Sequence, residues 1–152
     1  MKIIFICQGN ICRSPCAEIL LKKELEDYGI LSHYDVTSRA LEPYEEGMDI
    51  DSRMKEVLEE HGIDVPFHSS KMLLEQEEKE ADLLVVMEHQ QIEQVREIGD
   101  DYDSHKIHRL ASYTAAPHDI ADPYYSGDFE TAYMEIKEGC SALALRLLDK
   151  LN

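Results

Sequence analysis

An α/β fold, with a parallel sheet covered by helices on both faces, is what this 152-residue sequence predicts. Three observations carry that expectation. The run Ile3-Ile4-Phe5-Ile6 and the run from Asp82 to Met87 have the length and branched apolar content of strands buried on both faces. Segments with apolar residues at helical spacing follow each run. Strands that alternate with helices call for parallel pairing through right-handed crossovers.

In order, the first strand leads into a helix over about residues 15 to 28, where Ala17, Leu20, Leu21, Leu25 and Tyr28 share a face and Gly29 is a stop. Tyr34 to Ser38 reads as a second strand, and Arg39 to Ile50, with Pro43 and Gly47, as a polar loop. Asp51 or Asp49 caps a helix carrying Met54, Val57, Leu58 and His61, which ends at Gly62. Lys71 to Ala81 reads as an acidic surface helix, its Glu75 to Glu80 patch a solvated face. After the strand at 82–87, a helix from His89 to Ile98 ends at Gly99, and Lys106 to Leu110 forms the last strand. His105 and His108 are read as residues of that strand and not as ligands. Ala111 to Gly127, rich in turn formers, is a long functional loop. Phe129, Tyr133, Ile136, Cys140, Leu143, Ala144, Leu147 and Leu151 then line one face of a long terminal helix. That makes four strands and about five helices, in a single domain spanning 1–152.

Composition limits the function. With 32 acidic and 15 basic residues the formal charge is −17, which argues against binding nucleic acid or an anionic membrane. No apolar run approaches the roughly 20 residues of a membrane span, and Met1-Lys2 enters a short strand directly, so a soluble cytoplasmic protein is expected. Three of the four cysteines, Cys7, Cys12 and Cys16, fall within ten residues. They lack both the pattern of a disulfide framework and the paired spacing of a zinc site, and an arginine sits among them, so no metal and no cofactor are expected.

The stretch from Cys7 to Pro15 carries the chemistry. Six residues, Gln8 to Arg13, must turn the chain between strand and helix, with Ser14 as N-cap and Pro15 in the first turn. So tight a loop curls its N–H groups inward, making a concave anion site at a helix N-terminus, and Gly9 relieves the turn. At its rim the Cys7 thiolate is stabilised by the same N–H groups and by Arg13, whose planar fork suits two phosphoryl oxygens. Ser14 is also placed to offer its hydroxyl to the Cys7 sulfur.

Cys7, Gly9, Asn10, Cys12, Arg13, Ser14 and Pro15, interrupted by Gln8 and Ile11, resemble the signature of the low-molecular-weight protein tyrosine phosphatases. Asp122-Pro123-Tyr124-Tyr125 resembles that family's general-acid loop. The resemblance covers nearly the whole chain. It implies sheet order 2-1-3-4, hydrolysis of phosphotyrosine through a cysteinyl-phosphate on Cys7, Arg13 as phosphoryl clamp and Asp122 as acid, with Asp119 in reserve. It also implies that Asn10 holds the loop through Ser38 and His68, and that Cys12 pairs reversibly with Cys7 on oxidation. Cys16 and Cys140 are read as packing residues.

Tyr124 and Tyr44 are the candidate walls for the substrate ring, Tyr44 standing where relatives often carry tryptophan, a residue this chain lacks. Gln8 stands where an apolar residue is often found. Tyr124 and Tyr125 are candidate phosphorylation sites. The implied partners are phosphotyrosine proteins, with inorganic phosphate and other oxyanions as inhibitors, and the implied state is a monomer or weak dimer. Ile11, where arginine phosphatases of this fold carry threonine, favours tyrosine over phosphoarginine. Too few downstream cysteines argue against arsenate reduction. A phosphocarrier would need neither Arg13 nor Asp122, and the intact Cys7, Arg13 and Asp122 argue against a catalytically silent phosphate-binding module.

Overall fold

A computed structural model describes residues 1–102 and 105–152. Its core is a four-stranded parallel sheet made of β1 (Lys2–Cys7), β2 (Asp35–Ala40), β3 (Leu83–Val86) and β4 (Ile107–Arg109), in the order β2-β1-β3-β4. Alternation along β1 divides the core. Ile3, Phe5 and Cys7 face the helices α1 (Arg13–Asp27), α2 (Ser52–Glu60) and α6 (Phe129–Lys150), while Ile4 and Ile6 face α3 (Glu75–Glu80) and α4 (His89–Gly99). The carboxyl ends of β1 and β3 and the crossover loops behind them gather at one edge, where an open α/β sheet binds its ligand.

Several expectations need correction. The first helix begins at Arg13, so Cys12 is its N-cap and Ser14 lies inside the first turn with its hydroxyl free of any capping bond. Only Glu75–Glu80 of the acidic segment is helical. Residues 71–74 are extended instead, because Ala40 exchanges backbone bonds with them: its N–H donates to the Lys71 carbonyl at 2.7 Å and its carbonyl accepts from Leu73 at 2.8 Å. Nor is that helix a fully solvated face, since Glu78 is buried. Within the long loop, Leu110–Tyr113 forms a 3₁₀ turn and Pro123–Ser126 a short helix, α5, which brings the described α-helices to six. His105 precedes β4, and Leu151 is exposed beyond α6.

Candidate active site

From Cys7 to Ile11 every loop carbonyl is held on the outer side. The Leu41 N–H donates to the Cys7 carbonyl at 3.0 Å, and the Leu41 and Glu42 N–H groups to that of Gln8 at 3.2 and 3.1 Å. The Ser70 hydroxyl donates to the Gly9 carbonyl (2.8 Å), His68 Nε2 to that of Asn10 (2.6 Å), and the Asp51 N–H to that of Ile11 (2.7 Å). In a trans peptide the N–H points opposite to the carbonyl. The N–H groups of Gln8, Gly9, Asn10, Ile11 and Cys12 are therefore all turned to the concave side, and none has an acceptor among the described residues. This ring of donors above the N-terminus of α1 is a seat for an oxyanion.

Asn10 holds the turn. Its φ of +58° is left-handed, whereas Gly9 does not have a positive φ. Glycine at position 9 instead makes room for Glu45, whose Cγ would lie 3.1 Å from an added Cβ. The Asn10 amide donates to the Ser14 hydroxyl (2.8 Å) and to that of Ser38 (2.9 Å), and its oxygen accepts from the Lys71 N–H (3.1 Å). Ser38 passes its own proton to Glu18 at 2.8 Å, so every donor in this chain is assigned. Ser14, accepting from Asn10, has its proton free for the Cys7 sulfur at 3.0 Å, and the Ser14 N–H points to the same sulfur at 3.4 Å. Ser38 thus meets Asn10 through its side chain, while His68 meets it through the backbone.

Arg13 is 2% exposed in its side chain, and its guanidinium is placed by three oxygens: the Ile120 carbonyl (2.7 Å), Glu88 (3.1 Å) and Asp122 (3.5 Å). Asp122 caps α5 by accepting from the Tyr124 N–H at 3.0 Å with Oδ1, leaving Oδ2 toward Arg13. Pro123 at N1 starts that turn of helix. Asp119 lies elsewhere, tied to Arg109 and the His89 N–H, each at 2.9 Å. Burial works to raise its pKa, but those two bonds outweigh it and leave the carboxyl below its ordinary value. It is not positioned to act in the cleft.

The cleft has a volume of about 290 Å³, and Cys7, Gln8, Gly9, Ile11, Cys12, Arg13 and Asp122 all line it. Tyr44 and Tyr124 stand at its mouth, 82% and 66% exposed, and Arg53 lies over the Tyr124 and Phe129 rings while paired to Asp51. Burial, followed by the neighbouring Cys7, pushes the Cys12 thiol well above its ordinary value, and burial does the same to Cys16 and Cys140. All four cysteines are free thiols. Among the described residues, no three His, Cys, Asp or Glu side chains converge as a metal site.

Several residues here were not singled out from sequence: Glu18, Ser70, Glu88, Gln91 and the Ile120 carbonyl. Glu18 had a faint signal, four residues after Ser14 on one helix face. The others reach the loop across 61 to 107 residues of chain or through α4, which no local pattern records.

The family model for the low molecular weight phosphotyrosine protein phosphatase matches residues 2–152. The human low molecular weight phosphotyrosine protein phosphatase is 31% identical over 145 residues, covering 92% of this chain and 91% of its own. The crystal structure of YfkJ from Bacillus subtilis superposes with a TM-score of 0.94 at 27% identity, covering 100% of this chain and 97% of that one. That of a Drosophila arginine phosphatase superposes with a TM-score of 0.86 at 27% identity, over 97% and 98% of the two chains. With a loop of this geometry and a match across its length, the chain belongs to the low molecular weight phosphotyrosine protein phosphatase family and is a phosphoric monoester hydrolase.

Proposed function

We propose that this enzyme hydrolyses phosphotyrosine in proteins through a cysteinyl-phosphate. The observation that carries the reading is the Cys7 sulfur, met by the N–H and hydroxyl of Ser14, lining the same cleft as Arg13 and Asp122. Phosphoryl oxygens occupy the ring of N–H groups and the outer edge of Arg13, which stabilise the charge of the transition state. Cys7 forms the S–P bond as the bond to the tyrosyl oxygen breaks, and Asp122 gives that oxygen its proton. Water then attacks phosphorus, Asp122 takes its proton, the S–P bond breaks and inorganic phosphate leaves. The Ser14 hydroxyl supports sulfur as nucleophile in the first step and as leaving group in the second.

Phosphoarginine is the second reading. The likeness to the Drosophila arginine phosphatase and a cleft lined by Glu42, Glu45 and Asp51 favour a cationic leaving group, while isoleucine at position 11 opposes it. The test is phosphate release from phosphotyrosine and phosphoarginine peptides, with chelator present, by the parent, Cys7→Ser and Asp122→Ala proteins. The proposal requires tyrosine preference, no turnover by Cys7→Ser and reduced turnover by Asp122→Ala. Unchanged activity in Cys7→Ser defeats the mechanism, and arginine preference keeps the chemistry but changes the substrate.

A further inference from the structure

Gln8, the residue after the nucleophile, uses both ends of its amide. Its Nε2 donates to Glu42 Oε1 at 3.1 Å, and its Oε1 accepts from Gln91 Nε2 at 3.1 Å. Gln91 is fully buried at the start of α4, and its bonding capacity is filled. Its oxygen accepts from the Met87 and Glu88 N–H groups at 2.9 and 3.0 Å, which fixes the amide so that the nitrogen faces Gln8 and, at 3.3 Å, Glu88 Oε2. That same Glu88 oxygen pairs with Arg13 at 3.1 Å. A continuous polar strap, Glu42–Gln8–Gln91–Glu88, thus runs from the loop behind β2, through the anion-binding loop, to the guanidinium.

We propose that Gln8 and Gln91 are positioning residues for Arg13, setting the anion-binding loop and the arginine as one unit through Glu88. The proposal rests on Arg13 being the phosphoryl clamp. Among the described residues the Arg13 guanidinium meets two carboxylates, Glu88 at 3.1 Å and Asp122 at 3.5 Å, besides the Ile120 carbonyl at 2.7 Å, so Glu88 shares in setting where the fork points, and Gln91 holds Glu88. An apolar residue at position 8 would remove the acceptor that Gln91 faces and leave a buried N–H without its partner. The guanidinium would then be loosened most where its alignment matters most, in the five-coordinate transition state.

The experiment compares steady-state hydrolysis of a phosphotyrosine peptide, and inhibition by orthovanadate and by inorganic phosphate, in the parent, Gln8→Leu, Gln8→Glu and the Gln8→Glu/Glu42→Gln pair. The expected result for Gln8→Leu is a fall in kcat/KM of about tenfold, carried by kcat, with vanadate inhibition weakened in proportion and phosphate inhibition by less. Gln8→Glu sets two carboxylates against each other and loses activity. Adding Glu42→Gln exchanges donor and acceptor across that bond, keeps an acceptor for Gln91, and restores kcat/KM to within about twofold of the parent. Gln8→Leu indistinguishable from the parent, or a paired exchange that rescues nothing, overturns the strap. Cys7→Ser and Asp122→Ala judge the mechanism itself and are indifferent to it, so the two failures can be told apart.

Discussion

Asn10 is the residue on which the loop depends most, because it alone in the loop combines a left-handed backbone with a filled side-chain amide. Asn10→Ala is expected to cost about 2–3 kcal/mol, from backbone strain and the loss of three buried hydrogen bonds. Asn10→Gly should recover only the strain, so urea unfolding of both variants separates the two contributions. For Asp122, the proposed proton donor, Asp122→Asn is expected to lower kcat about 10²–10³-fold, since the amide can still cap α5 but cannot protonate the leaving oxygen. An unchanged kcat would return the role to another group. The meeting of Cys7, Arg13 and Asp122 in one cleft was legible in the sequence because each sits in a short local pattern of strand, loop and helix start. Ser14 was legible in one of its two expected parts: its hydroxyl meets the Cys7 sulfur as expected, while the N-cap position falls to Cys12 because the helix starts one residue before Ser14. Ser70, Glu88 and Gln91 were not legible, because a serine, glutamate or glutamine acquires its task only when distant segments meet.

At the scale of elements, strands and long helices announced themselves by period, and the failures fell where tertiary contact overrode pattern. The acidic segment gave up its first turn to pairing with Ala40, and Glu78 turned inward beside Gly99, where an added Cβ would lie 2.1 Å from its Oε2. Gly139 has the same kind of reason, for its Cβ would stand 2.5 Å from Leu110 Cγ, at the contact between α6 and the 3₁₀ turn. Gly139→Ala is expected to destabilise by about 1–3 kcal/mol through overpacking, read as a lower urea midpoint at unchanged slope. The segment leading to Asp122 is pinned to α6 by His118, whose ring bonds the Ala116 carbonyl and pairs with Glu135. The first of these, then the second, raises its pKa above the ordinary 6.5. A raised folded-state value stabilises fully below about 6.5, where the unfolded chain is also protonated, and the gain is lost as pH rises through the folded value. The melting-temperature difference between the parent and His118→Gln should therefore be largest in mild acid and shrink above neutrality. A difference that grows with pH would contradict the pairing.

Over the whole molecule the sequence fixes a charge of −17, yet the substrate is an anion. No described helix is long and apolar enough to cross a membrane. The local and global terms oppose each other. The inward N–H groups and Arg13 attract the phosphoryl group over a few ångströms, whereas the surface around it, including Glu42, Glu45 and Asp51 at the cleft, repels any anion approaching from farther away. Short-range attraction inside the cleft is little affected by salt, while the long-range field is screened as the Debye length falls from about 30 Å at 10 mM to about 8 Å at 150 mM. Two phosphotyrosine peptides that differ only in flanking residues, lysines in one and glutamates in the other, should therefore differ most in kcat/KM at low salt, with the basic peptide ahead. Their ratio should fall toward one as sodium chloride is raised, and because both compete with the same chloride for the same seat, simple anion inhibition cancels from it. A ratio near one at 10 mM, or one independent of salt, would mean that the anion-binding loop alone selects the substrate and that the acidic surface has no part in its approach.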